Sequence, residues 1–134
     1  MEGKYLLDSN ICIHLLRGNE SVCNAIAKVG WDNCYISELT IVELYYGAEC
    51  SVHRDRNVAE VEAFIADLNV IPLSSHIKEF CSQKAAMRRS GTMIEDFDLF
   101  IGTAAKVAGC VLVTENVKHM SHIEGIEIEN WVER

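Results

Sequence analysis

Residues 4–10, KYLLDSN, place a carboxylate directly after a short apolar run. The letters YLL predict a buried β-strand, and Asp8 follows at its carboxyl end. The next segment predicts a short helix, with Ser9 as its N-cap and Gly18 as its stop. Asp8 therefore has two interpretations, a residue that caps this helix or the first ligand of a metal site, and the remaining sequence has to decide between them.

Strand and helix patterns alternate through the rest of the chain. Short apolar runs predict four further strands, in residues 33–37, 69–74, 110–114 and 126–131. Helical spacing of apolar residues predicts helices over 20–30, from about Thr40 to Cys50, over 55–68, over 74–91 with Ser74 or Ser75 as its cap, and over 95–109. This alternation predicts an α/β fold in which helices cover both faces of a parallel sheet.

The carboxyl ends of two predicted strands carry polar side chains. Asp8 follows the first strand, and Thr114 and Asn116 lie at and after the end of the fourth. In open parallel sheets, ligands bind beyond the carboxyl ends of the strands. The sequence therefore predicts a functional site at this edge of the sheet.

Length and composition predict one globular domain over residues 1–134. Apolar residues make up 49% of the chain and charged residues 24%, which is typical of soluble proteins. No apolar run approaches the roughly 20 residues of a membrane span, and the N-terminus lacks a signal-peptide pattern, so the expected location is the cytoplasm. The six cysteines are widely spaced without a CxxC pair, and we expect them to be reduced core residues rather than disulfide partners or zinc ligands.

The formal net charge is −8, from 20 acidic residues against 12 Lys and Arg. This balance argues against a protein that binds nucleic acid through a broad basic face. A phosphate backbone would have to meet either a local cation or a small basic cluster. One predicted helix offers such a cluster, or simply a solvated basic face: Lys78, Lys84, Arg88 and Arg89.

Two more acids lie in core-like surroundings. Glu43 is flanked by apolar and aromatic residues, where a carboxylate is costly unless it is paired or bound to a metal; the competing interpretation is an exposed Glu on a mostly buried helix. The helix macrodipole explains Glu95 and Asp96 in a first turn, but it explains Asp98, at the border of the apolar stripe, less well. Together with Asp8, Glu43 and Asp98 form a candidate set of hard oxygen ligands for Mg²⁺ or Mn²⁺.

Other common site motifs are missing from the sequence. His119 and His122 are three residues apart in a predicted loop, without a zinc-type spacing, and we expect both at the surface. The chain has no GxGxxG, Walker A or GxSxG pattern. Nucleotide-binding and serine-hydrolase functions therefore lack their usual signals.

These segments together resemble the PIN-domain family and, within it, the VapC-type toxins of bacterial toxin–antitoxin pairs. Asp8, Glu43 and Asp98 stand at the positions of the family's first, second and third acids. The resemblance covers nearly the whole chain, through four segments in the family's order: residues 5–18, 36–49, 91–116 and 125–131. It implies a three-layer α/β/α sandwich around a parallel sheet of about five strands.

The resemblance also implies a function, a Mg²⁺- or Mn²⁺-dependent endoribonuclease. Similar proteins cut structured RNA, often tRNA, usually form homodimers, and are silenced by a cognate antitoxin whose tail enters the active-site groove. By this resemblance Asp8 and Asp98 would bind the metal directly, and Glu43 would bind it directly or through a water. Asn116 would be a further catalytic residue, and Asp96 could support or replace a ligand.

One position departs from many relatives of this type. Asn116 stands where they have a fourth acid. An amide can orient a water but lacks the charge to hold a second metal strongly, so the choice between one and two metals stays open.

Two rival functions use the same residues. The first is a PIN-like module that has lost catalysis and binds RNA or protein, although the presence of all three acids argues against it. The second is a phosphoacceptor domain of the response-regulator kind, which would need paired acids after the first strand and a Lys after the last, and this sequence offers neither. A groove rich in acids would also attract an antitoxin with a basic tail.

Overall fold

A parallel sheet of five short strands runs through the middle of the protein in a computed structural model, which describes residues 3–133. The strands are β1 (Tyr5–Leu7), β2 (Cys34–Ser37), β3 (Asn69–Ile71), β4 (Val111–Val113) and β5 (Ile128–Glu129). Their order is β3-β2-β1-β4-β5, and every neighbouring pair is parallel. The predicted α/β class and the sheet of about five strands are confirmed.

Seven helices connect and cover the strands within the described residues. They are α1 (Ser9–Leu16), α2 (Glu20–Val29), α3 (Glu38–Glu49), α4 (Arg54–Ala66), α5 (Ile77–Ser90), α6 (Asp96–Ala108) and the single turn α7 (Val117–Met120). Helices α1–α4 share one apolar core with the sheet, and α5–α7 share another. The arrangement is the expected three-layer α/β/α sandwich.

Side chains of the strands alternate between the two apolar cores. Leu7, Ile36 and Val113 pack into the core of α1–α4. Leu6 and Leu112 point the other way, into the core of α5–α7. Because successive side chains of a strand lie on opposite faces, a strand covered on both sides reads as an unbroken apolar run.

The start of α3 differs slightly from the prediction. The helix begins at Glu38, two residues before Thr40. Ser37 is its N-cap, and its side-chain oxygen accepts a hydrogen bond from the backbone N–H of Leu39 at 3.1 Å. A capping serine at the end of β2 therefore begins the helix as soon as the strand ends.

The prediction that Ser74 or Ser75 caps the next helix is wrong. A 3-10 turn at Leu73–Ser75 comes first, and α5 then begins after His76, without a capping side-chain hydrogen bond among the described residues. The hydroxyl of Ser75 instead donates to the backbone oxygen of Pro72 at 2.8 Å. The local turn thus uses the hydroxyl that the helix would have needed.

The segment after β4 contains more structure than the predicted loop. α7 begins after Asn116, and Met120 at its end is fully buried in the core of α5–α7. His119 and His122 are exposed, as predicted. One buried Met thus accounts for a short helix that the surrounding polar residues conceal in the sequence.

All six cysteines are free thiols, as predicted. Only three of them are buried core residues as expected, and burial raises the pKa of each of these thiols: Cys12, Cys34 and Cys110. Cys23 is half-buried, whereas Cys50 and Cys81 are exposed, contrary to the core prediction. None of the helices in residues 3–133 has the length and apolarity that crossing a bilayer requires.

Candidate metal centre at the carboxyl ends of β1 and β4

The sheet register places the ends of β1 and β4 side by side. Leu7 pairs with Val113, and the backbone N–H of Asp8 donates to the oxygen of Val113 at 2.9 Å. Asp8 and Thr114 therefore leave adjacent strands at the same level. This proximity is the one that parallel strands impose on residues just beyond their carboxyl ends.

Asp8 is only 4% exposed and accepts hydrogen bonds on both carboxylate oxygens. Oδ1 accepts from the backbone N–H of Ser9 at 2.7 Å, and Oδ2 accepts from the hydroxyl of Thr114 at 2.7 Å. Burial, and after it the charges of Asp98 and Glu43, raise the pKa of Asp8 from 3.8 to about 6 against the opposing effect of these hydrogen bonds. The buried carboxylate is thus costly to ionise and lies within the electrostatic reach of two other acids.

Of the two interpretations of Asp8, the helix cap is confirmed, and the metal ligand stays a prediction. Asp8, not Ser9, is the N-cap of α1, so the predicted cap was displaced by one residue. A cap by itself needs one oxygen, and Asp8 Oδ2 is bound instead by Thr114, which lies 106 residues away in sequence. The second oxygen ties the cap of α1 to the end of β4.

Glu43 is exposed on α3, but it is not an isolated surface acid. The hydroxyl of Ser9, which is 7% exposed, donates to Glu43 Oε1 at 2.5 Å. Ser9 Oγ also lies 3.1 Å from Oγ1 of the fully buried Thr40. Of the two interpretations of Glu43, the exposed residue is confirmed, and Val42 and Tyr46 on the same helix are exposed as well. The Glu43 carboxylate is nevertheless held by a buried hydroxyl.

Asp98 lies half-buried in the first turn of α6. Its Oδ2 accepts a hydrogen bond from the side-chain amide of Asn116 at 3.1 Å. Burial raises the pKa of Asp98, and the charge of Glu95 adds to this rise, whereas His119 and the Asn116 hydrogen bond oppose it. His119 therefore has an acid close by.

Asp96, which by the resemblance could support or replace a ligand, turns to a different partner. Its carboxylate forms an ion pair with Lys84 of α5, with Nζ 2.9 Å from Oδ1, and both side chains are largely exposed. Lys78 lies in the first turn of α5 and Arg88 and Arg89 in the last, about 15 Å apart at 1.5 Å per residue. The predicted basic cluster is thus spread along one helix, and part of its charge is paired with an acid.

The segment 114–116 joins the two sides of the site. Besides its bond to Asp8, Thr114 Oγ1 accepts from the backbone N–H of Asn116 at 2.9 Å. Asn10 of α1 accepts the backbone N–H of Glu115 at 3.3 Å, and its amide lies 3.3 Å from Asp8 Oδ2 as a donor. The backbone after β4 is therefore fixed by side chains from α1 as well as by the sheet.

The donor set fits a hard divalent cation held partly through water. Asp8, Glu43 and Asp98 provide only oxygen ligands, and the charges of Glu43 and Asp98 add to the effect of burial, which is the main cause of the raised pKa of Asp8. Within residues 3–133, no three His, Cys, Asp or Glu side chains converge closely enough to bind one ion directly. Mg²⁺ usually keeps several waters and takes only one or two carboxylates from the protein, so this spacing suits Mg²⁺ or Mn²⁺ better than a fully protein-bound ion.

Sequence reasoning missed four residues of this site. They are buried or half-buried polar side chains that contact the predicted residues or their immediate neighbours in the chain: Ser9, Asn10, His14 and Thr40. Asn10 and His14 are four residues apart in the sequence, a spacing that predicts that they share one face of α1. The contact between Ser9 and Glu43 had no local signal, because it spans 34 residues.

Fold and site together correspond to a known family. Residues 5–125 match the profile of the PIN domain. This match covers most of the chain, and the protein belongs to the PIN domain family.

Several proteins of this family are similar along nearly the whole chain. The ribonuclease VapC2 of Haemophilus influenzae (strain Rd) is 31% identical over 130 residues, which are 96% of this chain and 98% of that protein. The tRNA(fMet)-specific endonuclease VapC of Salmonella typhimurium is 34% identical over 129 residues, again 96% of this chain and 98% of that protein. The chain therefore resembles VapC ribonucleases in length as well as in sequence.

Solved structures give the same correspondence. The DNA-bound VapBC from Salmonella typhimurium contains a chain with a TM-score of 0.89 and 34% identity, with 96% of this chain and 98% of that chain covered. In VapBC2 from Rickettsia felis, bound to a DNA fragment from their promoter, the matching chain has a TM-score of 0.86 and 27% identity, with coverage of 95% and 98%. The whole sandwich, including the helices that carry the acids, is shared with these chains.

Proposed function

We propose that this protein is a metal-dependent endoribonuclease and the toxin of a toxin–antitoxin pair, with tRNA among its candidate substrates. The observation that carries the proposal is the grouping of Asp8, Glu43 and Asp98 around the ends of β1 and β4 in a chain of VapC length and fold. The VapC relatives named above are ribonucleases, and one of them is specific for tRNA(fMet).

The metal would be Mg²⁺ or Mn²⁺. Asp8 and Asp98 would hold it directly, and Glu43 would do so through a water. When bound, the ion would lower the pKa of a coordinated water and offset the charge of the scissile phosphate. This accounts for an acidic protein acting on a polyanion, because the cation rather than the protein surface meets the phosphate.

The chain's own residues would hold and orient the reacting groups. Thr114 and Ser9 keep the Asp8 carboxylate in place, and Asn116 does the same for Asp98. Glu43 would orient a water for in-line attack on phosphorus. The P–O3′ bond would break as the new P–O bond forms, leaving a 5′-phosphate and, after protonation of the leaving oxygen, a 3′-hydroxyl.

RNA would reach the site through an open cleft at the N-terminal end of α6. Met93, Ile94 and His119 line this cleft together with Glu95 and Asp96. The cleft lies beside Asp98, so a strand passing through it would bring a phosphate to the metal. Since an RNA substrate of this kind lies in the cytoplasm, we place the activity there.

The partner would be a cognate antitoxin, as the VapBC complexes suggest by analogy. A second cleft, between α1, α3 and α4, is lined by apolar side chains together with two acids and one cation: Ile13, Leu16, Leu44, Glu43, Glu60 and Arg17. An antitoxin tail with apolar and basic side chains would suit this combination. The toxin itself would be a homodimer, as is usual for similar proteins.

The antitoxin part of the proposal predicts a salt-dependent complex. Raising NaCl from about 50 to 500 mM shortens the Debye length about threefold, and we expect the dissociation constant measured by calorimetry to rise with it. A dissociation constant that does not change with salt would contradict the attraction between an acidic groove and a basic tail.

The test of the enzymatic function is cleavage of total RNA by purified, antitoxin-free protein with Mg²⁺, with Mn²⁺ and with EDTA. We expect discrete fragments that require both the metal and Asp8, so that Asp8→Asn abolishes cleavage. Asp67→Asn is the matched control, because Asp67 is an exposed C-cap at the end of α4 and its variant should cleave like the wild type.

The same experiment decides between this function and its main rival. A folded wild type that binds RNA but cleaves none of several RNA classes with either metal would identify a PIN-like binding module instead. The phosphoacceptor alternative has no further support, since the chain belongs to the PIN domain family.

A further inference from the structure

Two side chains of α1 hold Glu115, the residue between Thr114 and Asn116. His14 Nε2 lies 2.5 Å from Glu115 Oε1, and Asn10 Oδ1 accepts the Glu115 backbone N–H at 3.3 Å. Asn10 and His14 are one helical turn apart and thus lie on the same face of α1. They clamp residue 115 by its backbone and by its side chain at the same time.

The contact with the Glu115 carboxylate determines which ring nitrogen of His14 carries a hydrogen. An ionised carboxylate can only accept hydrogen bonds, so the His14 nitrogen that faces it, Nε2, carries a hydrogen. The two side chains are 25% and 19% exposed, which limits competition from water. A short, half-buried hydrogen bond to a carboxylate is stronger than the exposed ion pairs of the surface.

The clamped residue lies between two groups that hold the candidate ligands. On one side, Thr114 donates to Asp8, and on the other, Asn116 donates to Asp98. A rotation of the backbone at Glu115 would turn Asn116 away from Asp98. It would also break the 2.9 Å hydrogen bond from the Asn116 N–H to Thr114 Oγ1, the atom that donates to Asp8. The position of residue 115 therefore bears on two carboxylates at once.

We propose that His14 is a positioning residue of the metal centre. By holding the Glu115 side chain, it fixes the segment 114–116 so that the Thr114 hydroxyl faces Asp8 and the Asn116 amide faces Asp98. His14 touches neither substrate nor metal and acts only through Glu115. The inference rests on the proposed function for its link to metal binding, whereas the clamp itself is a property of the metal-free protein.

Hydrogen exchange of the metal-free protein tests the clamp without any activity. We expect His14→Ala to speed exchange of the backbone amides of Glu115 and Asn116 by about tenfold or more, since their local opening becomes easier. His14→Gln, which restores a donor to the carboxylate, should return exchange to within about threefold of the wild-type rate. The control is His122→Ala, at an exposed histidine beyond α7, and its exchange at these amides should be unchanged.

Titration with Mn²⁺ alone tests the consequence for the metal centre. We expect His14→Ala and Glu115→Ala each to weaken Mn²⁺ binding by about tenfold, the usual effect of removing support from a metal ligand. The double variant should be no weaker than the weaker single variant, because both changes remove the same contact. In RNA cleavage, kcat should fall while KM stays nearly constant, and His14→Gln should restore most of kcat.

Specific results would overturn the inference. Exchange rates and Mn²⁺ affinities of His14→Ala within about twofold of the wild type would do so, and so would fully additive effects in the double variant. Thermal unfolding identifies any variant that fails to fold, and His14→Gln then carries the test. If the wild type cleaves no RNA, the proposed function fails, while exchange and metal titration still decide whether His14 positions the segment.

Discussion

At Asp8 a structural role and a candidate chemical role share one side chain. The carboxylate caps α1 through Oδ1 and meets Thr114 through Oδ2. Burial favours its protonated form, whereas a metal would need the ionised form. The metal-free protein should therefore be less stable at neutral pH because of this residue, as functional sites often are.

The pH dependence of unfolding has a definite sign. The pKa of Asp8 rises from 3.8 to about 6 in the folded protein, so the folded state binds more protons than the unfolded state between these values. Stability in EDTA should therefore fall as pH rises from about 4 to about 6, by on the order of 3 kcal/mol from this residue. Urea unfolding of the wild type and of Asp8→Asn at several pH values measures this fall in stability.

The Asn variant isolates this contribution from those of other groups. We expect Asp8→Asn to be more stable than the wild type at pH 7 and similar to it near pH 4. Mn²⁺ should reverse the order at pH 7, because only the wild type would bind the ion tightly. Parallel stability curves for the two proteins across this range would show that folding does not raise the pKa of Asp8.

Ser9 connects two of the candidate ligands. Its backbone N–H donates to Asp8 and its hydroxyl donates to Glu43. We expect Ser9→Ala to weaken Mn²⁺ binding by about tenfold, because the Glu43 carboxylate loses the donor that holds it. Ser9→Thr, which keeps the hydroxyl, should stay within about threefold of the wild type, as should the exposed control Ser82→Ala; equal losses in Ser9→Thr and Ser9→Ala would contradict the role of the hydroxyl.

Among the elements, α1 and α6 organise the site from opposite sides. α1 provides Ser9, Asn10 and His14, which reach α3 and the segment after β4. α6 provides Asp98, and its position depends on close packing against the chain beyond α7. Gly102 of α6 is buried there, directly against Ile123.

Because of this close approach, we expect replacement of Gly102 by alanine to lower the stability of the protein. A Cβ at Gly102 would lie 2.1 Å from Ile123 Cδ1. Gly102→Ala should therefore destabilise the protein by about 1–3 kcal/mol through overpacking, although Ala is the better helix former. Urea unfolding measures the difference in free energy.

A second variant tests the cause of this destabilisation. Ile123→Val removes Cδ1, and the next contact of the added Cβ would be 3.4 Å away. The double variant should be more stable than Gly102→Ala alone. Gly47→Ala on α3 is the control, since a Cβ there meets nothing within 4 Å and should stabilise the helix by up to about 1 kcal/mol. A double variant as unstable as Gly102→Ala would exclude Ile123 as the source of strain.

For the whole molecule, the net charge of −8 opposes the binding of RNA, which is a polyanion. The cations on α5 lie along the helix, and Lys84 is paired with Asp96. On the proposed function, affinity for RNA would then come largely from the bound cation. This dependence distinguishes the protein from nucleic-acid binders with a basic face.

RNA binding should therefore require a divalent ion. We expect a non-cleavable RNA analogue to bind at least about tenfold more tightly in Mg²⁺ than in EDTA, since the ion removes local repulsion. Asp8→Asn should lose most of this gain, and Asp67→Asn should keep it. Fluorescence anisotropy measures the affinity for RNA in Mg²⁺ and in EDTA for each protein. Equal affinity of the wild type with and without Mg²⁺ would show that the protein surface alone holds the RNA.

Much of this architecture follows from the sequence alone. Apolar runs and helical spacing are local patterns, and they predicted the alternation of strands and helices and the location of Asp8, Thr114 and Asn116 at strand ends. The acidic surplus and the acids at Glu43 and Asp98 were equally visible. Local periodicity carries this information because backbone geometry sets which residues of one element share a face.

The partners of those residues depended on the tertiary structure. Thr114 meets Asp8 across 106 residues, His14 meets Glu115 across 101 and Ser9 meets Glu43 across 34. These contacts follow from strand order and register, which bring β1 beside β4 and α1 over α3. No local pattern encodes such pairs, because the free energy that selects them comes from packing the whole sheet and its helices.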